Sequence, residues 1–460
     1  MGIKAAFMVP HPPLIVPEVG RGGERQIKET SDAYDAVAKE IAKISPDTII
    51  ITSPHSVMYS DYFHISPGDC AYGDLRRFGA PQISFDEDYD LELSSAIADI
   101  LSGEDFPGGF EGERDSNLDH GTMVPLYFIR KHYNKGKIIR IGLAGLPLAD
   151  HYRLGMYIRE ATEKLGRSAV FVASGDLSHV LKESGPYGFD PAGPVYDEKI
   201  MDCAKRADFG EMLEFDQELL DKSSECGHRS FVIMAGALDG DTVRPHVYSH
   251  QDVTGVGYGI ASFYPEGRSD ERCFLAHRKV KGSSDGYVML AKASIDSYVK
   301  NRKKLKVPED IPSDVMAALP EEAFNRRAGA FVSIHETGDL RGCIGTIAPT
   351  KDSIAQEIVD NAISASTRDP RFAPVRKDEL DLLEINVDIL GDPEDIQGPE
   401  ELNVKRYGVI VTSGYRRGLL LPDLEGVDDV ATQVDIAMRK GGISPSDDYS
   451  LQRFEVIRHK

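Results

Sequence analysis

The stretch Val172-Ala173-Ser174-Gly175-Asp176-Leu177-Ser178-His179 decides the fold of the first half of this 460-residue chain. An apolar segment over residues 169–173 runs into a turn of small residues that carries Asp176 and His179. In an α/β protein, a buried strand that ends in such a turn delivers side chains to the carboxyl edge of the sheet, where ligands bind. His179 is therefore a candidate acid or base, although a single histidine after a strand is more often structural.

Two further histidines follow strand-like segments in the same manner. Residues 5–9 precede His11, and the β-branched run over residues 48–52, typical of a strand buried on both faces, precedes His55. Strands and helices alternate through this half, which predicts an α/β fold, a layered α/β/α domain. The remainder is predicted to be a second, smaller α+β domain. Polar, Gly- and Ser-rich breaks place the boundary near residues 268–285, giving domains 1–267 and 285–460.

The composition excludes several classes of protein. The chain has 53 basic and 75 acidic residues, a formal net charge of −22, which would repel nucleic acid and anionic membranes. No apolar run is long enough to span a membrane, and no signal peptide is evident. The five cysteines are scattered and form no CxxC motif. We therefore expect a cytoplasmic protein with neither nucleic-acid nor membrane partners, for which an oligomer is allowed.

His11, His55 and Glu225 form a predicted metal site. Both histidines end strands of one sheet, so both side chains can face one crevice, and Glu225 precedes a helix within reach of it. Two imidazoles and one carboxylate on one face of a metal form the ligand set of non-haem ferrous oxygenases. His179 and His120 would then lie outside the metal as acid or base groups.

Five pieces of residues 3–264 resemble the catalytic B subunit of class III extradiol ring-cleavage dioxygenases. The resemblance implies that His11, His55 and Glu225 bind Fe(II), that His179 is the catalytic base, and that His120 lines the substrate. It also implies that a small aromatic or heteroaromatic diol is cleaved next to its two oxygens. The pieces are Val9-Pro10-His11-Pro12-Pro13, Thr52-Ser53-Pro54-His55, Leu118-Asp119-His120-Gly121, Ser174-Gly175-Asp176-Leu177-Ser178-His179 and Glu225-Cys226-Gly227.

The same region also resembles the Memo family, in which a Cys-Gly element stands where the dioxygenases carry Glu. This chain has both Glu225 and Cys226, so the third ligand is open. We favour Glu225 because carboxylate suits ferrous iron, whereas thiolate would favour zinc, copper or a softer iron site. Cys226 has the alternative of being a small buried hydrophobe. His228 and His250 are weaker candidates for the pocket.

The second half, from about residue 286 to 460, resembles the AMMECR domain. The pieces that carry this resemblance include Leu340-Arg341-Gly342-Cys343-Ile344-Gly345 and Asp369-Pro370-Arg371-Phe372. Arg341 beside Cys343 could form a cationic pocket with a reactive thiol, since a nearby guanidinium lowers the pKa of a thiol. Asp369 and Arg371 add a second polar cluster. The alternative is that the glycines permit tight strand pairing and Cys343 is buried.

Two classes of function remain open at this stage. The first is a non-haem iron dioxygenase acting on a small-molecule aromatic substrate, whose identity the sequence does not define. The second is a Memo-like metal- or ligand-binding protein, or a non-oxygenase enzyme of C–C chemistry. Memo-like, AMMECR and radical-SAM proteins resemble parts of one system, AmmeMemoRadiSam. This chain lacks the Cys-x3-Cys-x2-Cys motif, so the second class expects a separate radical-SAM protein as partner.

Overall fold

The computed structural model describes residues 2–278, 280, 282–336, 338–424 and 426–460. The chain divides into two compact units, residues 1–277 and 278–460. The domain limits predicted from the sequence, 1–267 and 285–460, stay a prediction. Lys279 and Lys281, which belong to the predicted boundary segment, lie outside the described residues.

The first unit contains a six-stranded sheet with the strand order β7-β2-β8-β1-β10-β9. Strands β7, β2, β8 and β1 are parallel, and β10 and β9 are antiparallel additions at one edge. Two small strand pairs, β3–β6 and β4–β5, lie outside this sheet. The strands of this unit are β1 (Gly2–Val9), β2 (Thr48–Ser53), β3 (Phe63–His64), β4 (Cys70–Leu75), β5 (Ala80–Asp88), β6 (Gly108–Gly109), β7 (Lys137–Gly142), β8 (Ser168–Ser174), β9 (Asp241–Gln251) and β10 (Tyr258–Arg268).

Helices cover both faces of this sheet. Alternate residues of the central strands pack with α2 and α4 in one apolar core, and α5 and α9 pack on each other and contact β1 and β8. The prediction of a layered α/β/α domain is confirmed. The helices are α1 (Pro17–Gly20), α2 (Lys28–Ile44), α3 (Leu91–Gly103), α4 (His120–His132), α5 (Leu148–Lys164), α6 (Ala192–Arg206), α7 (Phe209–Met212), α8 (Gln217–Ser223), α9 (His228–Ala237) and α10 (Phe274–His277).

The central strands form where the sequence is apolar without interruption. Every residue of β2 is buried, and in β1 and β8 only the first few positions are partly exposed. A strand that is covered on both faces selects such a run, because neither set of alternating side chains meets water. Strand β9 shows the opposite pattern, with alternating exposure and Pro245 inside it, as an edge strand permits. Strand β9 therefore lacks the apolar run that marks β2, and the sequence does not predict it.

The second unit is an α+β domain, as predicted. Its seven strands are all antiparallel, in the order β12-β11-β13-β17-β15-β16, with β14 paired to β17. Helices α11 and α14 pack together against the β11 side of the sheet, and α15 packs on β15 and β16. The elements are α11 (Gly286–Asn301), α12 (Ser313–Ala318), α13 (Glu322–Asn325), β11 (Ala330–Glu336), β12 (Asp339–Gly345), α14 (Ile354–Thr367), β13 (Leu383–Leu390), β14 (Glu394–Ile396), β15 (Tyr407–Ser413), β16 (Arg416–Leu420), α15 (Val430–Lys440) and β17 (Ser450–His459).

Within the described part of the chain, no helix is both long enough and apolar enough to cross a membrane.

Candidate metal centre

Three side chains converge at the carboxyl edge of the parallel strands. His11 lies just beyond the end of β1, His55 lies just beyond the end of β2, and Cys226 lies on the loop that precedes α9. A close backbone contact brings this loop to the strand ends, because a Cβ atom on Gly175 would lie 2.1 Å from the Cα atom of Gly227. Glycine at both positions therefore lets the turn after β8 pack against the loop that carries Cys226.

The donor atoms of these three side chains are spaced as metal ligands are. His11 Nε2 lies 3.0 Å from His55 Nε2 and 3.6 Å from Cys226 Sγ, and all three donor atoms lie within 4.8 Å of one another. Usual zinc–nitrogen and zinc–sulfur bond lengths give separations of about 3.3 Å and 3.6 Å around a tetrahedral ion. The donor set and its spacing therefore fit a single divalent ion.

The surroundings of His11 fix its orientation and its tautomer. The Ser174 hydroxyl donates to the carbonyl of Gly121 at 2.6 Å, so its oxygen accepts the proton of His11 Nδ1 at 3.0 Å. This arrangement leaves Nε2 unprotonated, as a metal ligand requires. The His11 backbone N–H donates to Asp176 Oδ1 at 2.7 Å. Burial, together with the neighbouring His55, also holds the pKa of His11 well below its ordinary value, which favours the neutral imidazole.

Glu225, which we favoured as the third ligand, is not among the converging groups. Its carboxylate accepts the backbone N–H of His228 at 2.5 Å, at the first turn of α9. Burial raises the pKa of Glu225 to about 7, although this hydrogen bond opposes the shift. Adjacent residues of a loop commonly point in different directions, and here it is Cys226 that faces the histidines. The sequence offered both side chains without showing which one would turn inward.

His120 packs directly on the candidate ligands. Its ring stacks on His55 with ring centres 4.0 Å apart and meets His11 edge-on at 5.4 Å. Ser53, at the end of β2, donates to Asp119, the N-cap of α4, at 2.5 Å and so joins the two elements. Burial and the two neighbouring histidines lower the pKa of His120 to about 3, so the ring is neutral at pH 7.

His179 lies in the same region but outside the converging trio. Its backbone N–H donates to the carbonyl of Ser223 at 3.2 Å, and its ring stacks on the exposed Tyr187 with centres 5.2 Å apart. Burial lowers the pKa of His179, while the charge of Asp176 acts in the opposite direction. Burial in turn raises the pKa of Asp176 to about 6. A neutral imidazole beside a carboxylate can accept a proton.

A cavity of about 550 Å³ opens beside the histidines. Its walls come from the end of β2, from the start of α4 with the loop before it, and from β4 with the β4–β5 connection, which the sequence does not predict. The unpredicted lining residues that carry chemistry are Arg76, Arg77 and Phe78, and a signal for them lay in the Arg-Arg-Phe-Gly turn that ends with Gly79 at positive φ. The full lining is His55, Tyr72, Gly73, Asp74, Arg76, Arg77, Phe78, Asp115, Asn117, Leu118, Asp119, His120 and Met123.

Asp197 connects the turn before His179 with a separate, larger cavity. Its buried carboxylate accepts the Ser178 N–H at 2.8 Å and bonds to His250 Nε2 at 2.9 Å. Asp197 and His250 both line a cavity of about 750 Å³ between α6 and β9. His250 thus lines a pocket, but not the one beside the metal ligands. His228 is buried and bonds through Nε2 to the Met212 carbonyl at 2.9 Å, which is a structural role.

Comparison with known protein families decides the relationship of the whole chain. The family described as "Catalytic LigB subunit of aromatic ring-opening dioxygenase" matches residues 5–261, which is more than half of the chain. The AMMECR1 family matches residues 288–459. The chain belongs to the LigB family. It carries an AMMECR1 domain fused behind the LigB domain.

Individual proteins are also similar to this chain. A protein of Clostridium acetobutylicum is 40% identical over 476 residues, covering 100% of both chains. A protein of Thermotoga maritima is 52% identical over 176 residues, which cover 38% of this chain and 97% of that protein. Two solved structures, both titled as uncharacterized proteins, were also found. One, from Pyrococcus horikoshii, has 30% identity and a TM-score of 0.34 over 39% of this chain and 92% of its own. The other, from Escherichia coli K12, has 15% identity and a TM-score of 0.39 over 57% and 99%.

The candidate cluster of the AMMECR1 domain is internally paired. Arg341 is buried and forms a bidentate ion pair with Glu379, with Nε 2.7 Å from Oε2 and Nη2 3.2 Å from Oε1. Arg371 forms a bidentate pair with Asp369, whose carboxylate also accepts the backbone N–H groups of Cys343 at 2.9 Å and Arg371 at 3.1 Å. The structure thus brings Cys343, Asp369 and Arg371 together, whereas the Arg341 guanidinium is bound to Glu379.

Proposed function

We propose that the LigB domain is a metal-dependent enzyme of the aromatic ring-opening type that acts on a small aromatic or heteroaromatic diol. The observation that carries this proposal is the convergence of the His11, His55 and Cys226 donor atoms beside a cavity that His55 and His120 line. A cavity of about 550 Å³ has the size usual for small-molecule sites. Membership of the LigB family supports the same conclusion.

In this proposal His179 and His120 handle protons and orient the substrate. The lowered pKa of His179 keeps its imidazole neutral at pH 7, so it can accept a proton from a substrate hydroxyl. Asp176 stabilises the imidazolium that then forms, because its carboxylate favours the charged ring. His120, also neutral, offers a flat face and a ring N–H to a planar ligand in the cavity.

His11, His55 and Cys226 would hold the ion. Ferrous iron, when bound, supplies the electron transfer to dioxygen that ring opening requires. Two imidazoles and a thiolate bind iron, and they also bind the softer ions zinc and copper. The identity of the bound ion is therefore the most informative property to measure.

One observation favours a second candidate function. A thiol, rather than a carboxylate, faces the two histidines. A thiolate ligand suits a Memo-like metal-binding protein, or an enzyme of non-oxygenase C–C chemistry that works with a separate radical-SAM partner, better than it suits a dioxygenase.

Anaerobic purification followed by metal analysis and oxygen-uptake measurements tests the proposal. Protein that contains stoichiometric iron and consumes oxygen with at least one member of a panel of catechols and heteroaromatic diols would support ring opening. Protein that takes up zinc or copper in preference to iron, or iron-loaded protein that consumes no oxygen with any diol, would support the second candidate. The control is His132→Gln, which changes a surface histidine of the same domain that bonds to Asp35. Its metal content and oxygen uptake should equal those of the parent protein.

A further inference from the structure

The AMMECR1 domain contains a cavity with an unusual concentration of basic side chains. Its volume is about 490 Å³, and its walls come from the segment after α11, from Lys351 and from the first two turns of α14. The lining residues are Lys304, Leu305, Lys306, Val307, Lys351, Gln356 and Asp360. Three ammonium groups and one carboxylate therefore share one concave surface.

This concentration runs against the charge of the protein as a whole. Five of the seven residues 300–306 are basic, in a chain whose net charge is −22. Two of them are matched outside the cavity, because Lys300 pairs with Asp296 at 3.5 Å and Lys303 pairs with Asp310 at 3.2 Å.

Inside the cavity the positive charge exceeds the negative charge. Lys304 and Lys351 each contact one oxygen of Asp360, the latter at 2.8 Å, so one carboxylate serves two ammonium groups. The two lysines hold the pKa of Asp360 below its ordinary value even though burial acts to raise it. Among the described residues, no hydrogen-bond or ion-pair partner reaches the Lys306 ammonium or the Gln356 side-chain amide. Two donors thus line the cavity without acceptors.

We propose that this cavity binds a small dianion of the phosphate or phosphate-monoester class. A phosphate brings several acceptor oxygens, which the ammonium groups of Lys304, Lys306 and Lys351 can approach as point charges while the Gln356 amide donates a hydrogen bond. The cavity has the size of a small-molecule site. A nucleic acid is disfavoured, because the strongly negative chain would repel a long polyanion. This inference concerns a different domain and does not depend on the proposed function.

Binding of inorganic phosphate and of glycerol 3-phosphate to the full chain, measured by titration calorimetry at low ionic strength, tests the proposal. Lys306→Gln and Lys351→Gln should each weaken binding by about tenfold, since each removes a charge-assisted contact. Lys303→Gln is the matched control, because it removes the same charge from a side chain that pairs with Asp310 and does not line the cavity, and it should change binding by less than about twofold.

Asp360→Asn separates binding from folding, because among the described lining residues Asp360 alone carries a carboxylate. This variant should bind phosphate several-fold more tightly than the parent protein, a gain that a folding defect cannot produce. Equal binding by all the lysine variants, no measurable binding by the parent protein, or weaker binding by Asp360→Asn would each overturn the proposal. Binding to phosphatidylcholine vesicles that contain phosphatidic acid, without binding of glycerol 3-phosphate, would also overturn it in favour of a membrane surface.

Discussion

The two candidate clusters of this protein differ in how their polar groups are satisfied. In the LigB domain, the donor atoms of His11, His55 and Cys226 face one another across a few ångströms. In the AMMECR1 domain, Arg341 ends on Glu379 and Arg371 ends on Asp369. Donor atoms that face one another without an opposite charge between them can be satisfied by a bound metal ion. Matched ion pairs satisfy each other and need no further ligand. The cluster of the LigB domain therefore has the arrangement of a metal site, and the cluster of the AMMECR1 domain has the arrangement of structural ion pairs.

The largest effect is expected from changes to the converging ligands. His11→Ala and His55→Ala should abolish stoichiometric metal binding, because each leaves two protein donors where a structural or catalytic site needs at least three. Metal analysis after anaerobic reconstitution measures this effect, and circular dichroism checks that the fold is intact. Stoichiometric metal in both variants would contradict the assignment of the site.

Cys226 and Glu225 form a matched pair that identifies the third ligand. Cys226→Ala should lower metal affinity by at least about 10–100-fold. Glu225→Gln should retain the metal, since its carboxylate bonds to the backbone of α9 rather than facing the histidines. The opposite pair of results would restore the carboxylate as the ligand and remove the thiol.

His179→Ala should lower turnover while leaving the metal in place. The expected loss is about 10²–10⁴-fold, the usual contribution of a positioned proton-transfer group. Iron content and binding of a catechol analogue should match the parent protein, because the His179 side chain lies outside the trio of donor atoms. Loss of iron from this variant would make His179 a ligand instead. The measurement depends on a diol that the parent protein turns over.

The sequence predicted those features that depend on continuous local patterns. Buried strands such as β2 are read from their apolar runs, and His11 and His55 are placed at one sheet edge because parallel strands share that edge. The orientation of Cys226 could not be predicted in this way. It depends on the packing of Gly175 against Gly227, which lie 52 positions apart in the chain.

The sequence also does not predict which partners the charged side chains bind. Arg341 was expected to influence Cys343, two residues away, but its guanidinium is bound to Glu379, 38 residues further along the chain. Arg76 and Arg77 line the cavity from the turn of a hairpin whose strands mix buried and exposed residues and carry no continuous apolar run. Spacing along the chain predicts which backbone segments meet, and long-range packing decides which side chains do.

Arg341→Leu and Arg371→Leu should separate a buried ion pair from a half-exposed one. Arg341→Leu leaves Glu379, whose side chain is 1% exposed, without its bidentate partner. We expect a loss of about 3 kcal/mol in the free energy of unfolding, at the lower end for a broken buried pair, because Arg376 still reaches Glu379 at 3.0 Å. Arg371→Leu should cost less, about 1–2 kcal/mol, because the Arg371 side chain is 54% exposed and the buried Asp369 carboxylate, 2% exposed, keeps the backbone N–H bonds of Cys343 and Arg371. Urea unfolding, followed by hydrogen exchange in peptides from residues 330–390, measures both, and equal losses would contradict the contrast.

A further contrast is expected in the response of the two units to acid. His151 is buried, its Nδ1 bonds to the Pro147 carbonyl at 3.0 Å, and its Nε2 accepts the Ala144 N–H at 3.5 Å. Burial lowers the pKa of His151 to about 4, against about 6.5 in an unfolded chain. The unfolded state therefore binds more protons between these pH values, and the stability contributed by His151 is full above pH 6.5 and declines as the pH falls towards 4.

The AMMECR1 domain should respond at lower pH, because its titrating groups include carboxylates held by cations. The Arg371 guanidinium keeps the pKa of Asp369 well below its usual range, so that contribution to stability is present above about pH 4 and is lost only as the pH falls further. We therefore expect the free energy of unfolding of the LigB domain, measured with urea, to fall first on acidification, by up to about 1.4 kcal/mol per pH unit for each such histidine. His151→Gln should flatten this dependence. If the free energy of unfolding of the AMMECR1 domain fell first between pH 6.5 and 4, the contrast between buried neutral histidines and arginine-paired carboxylates would not distinguish the two units.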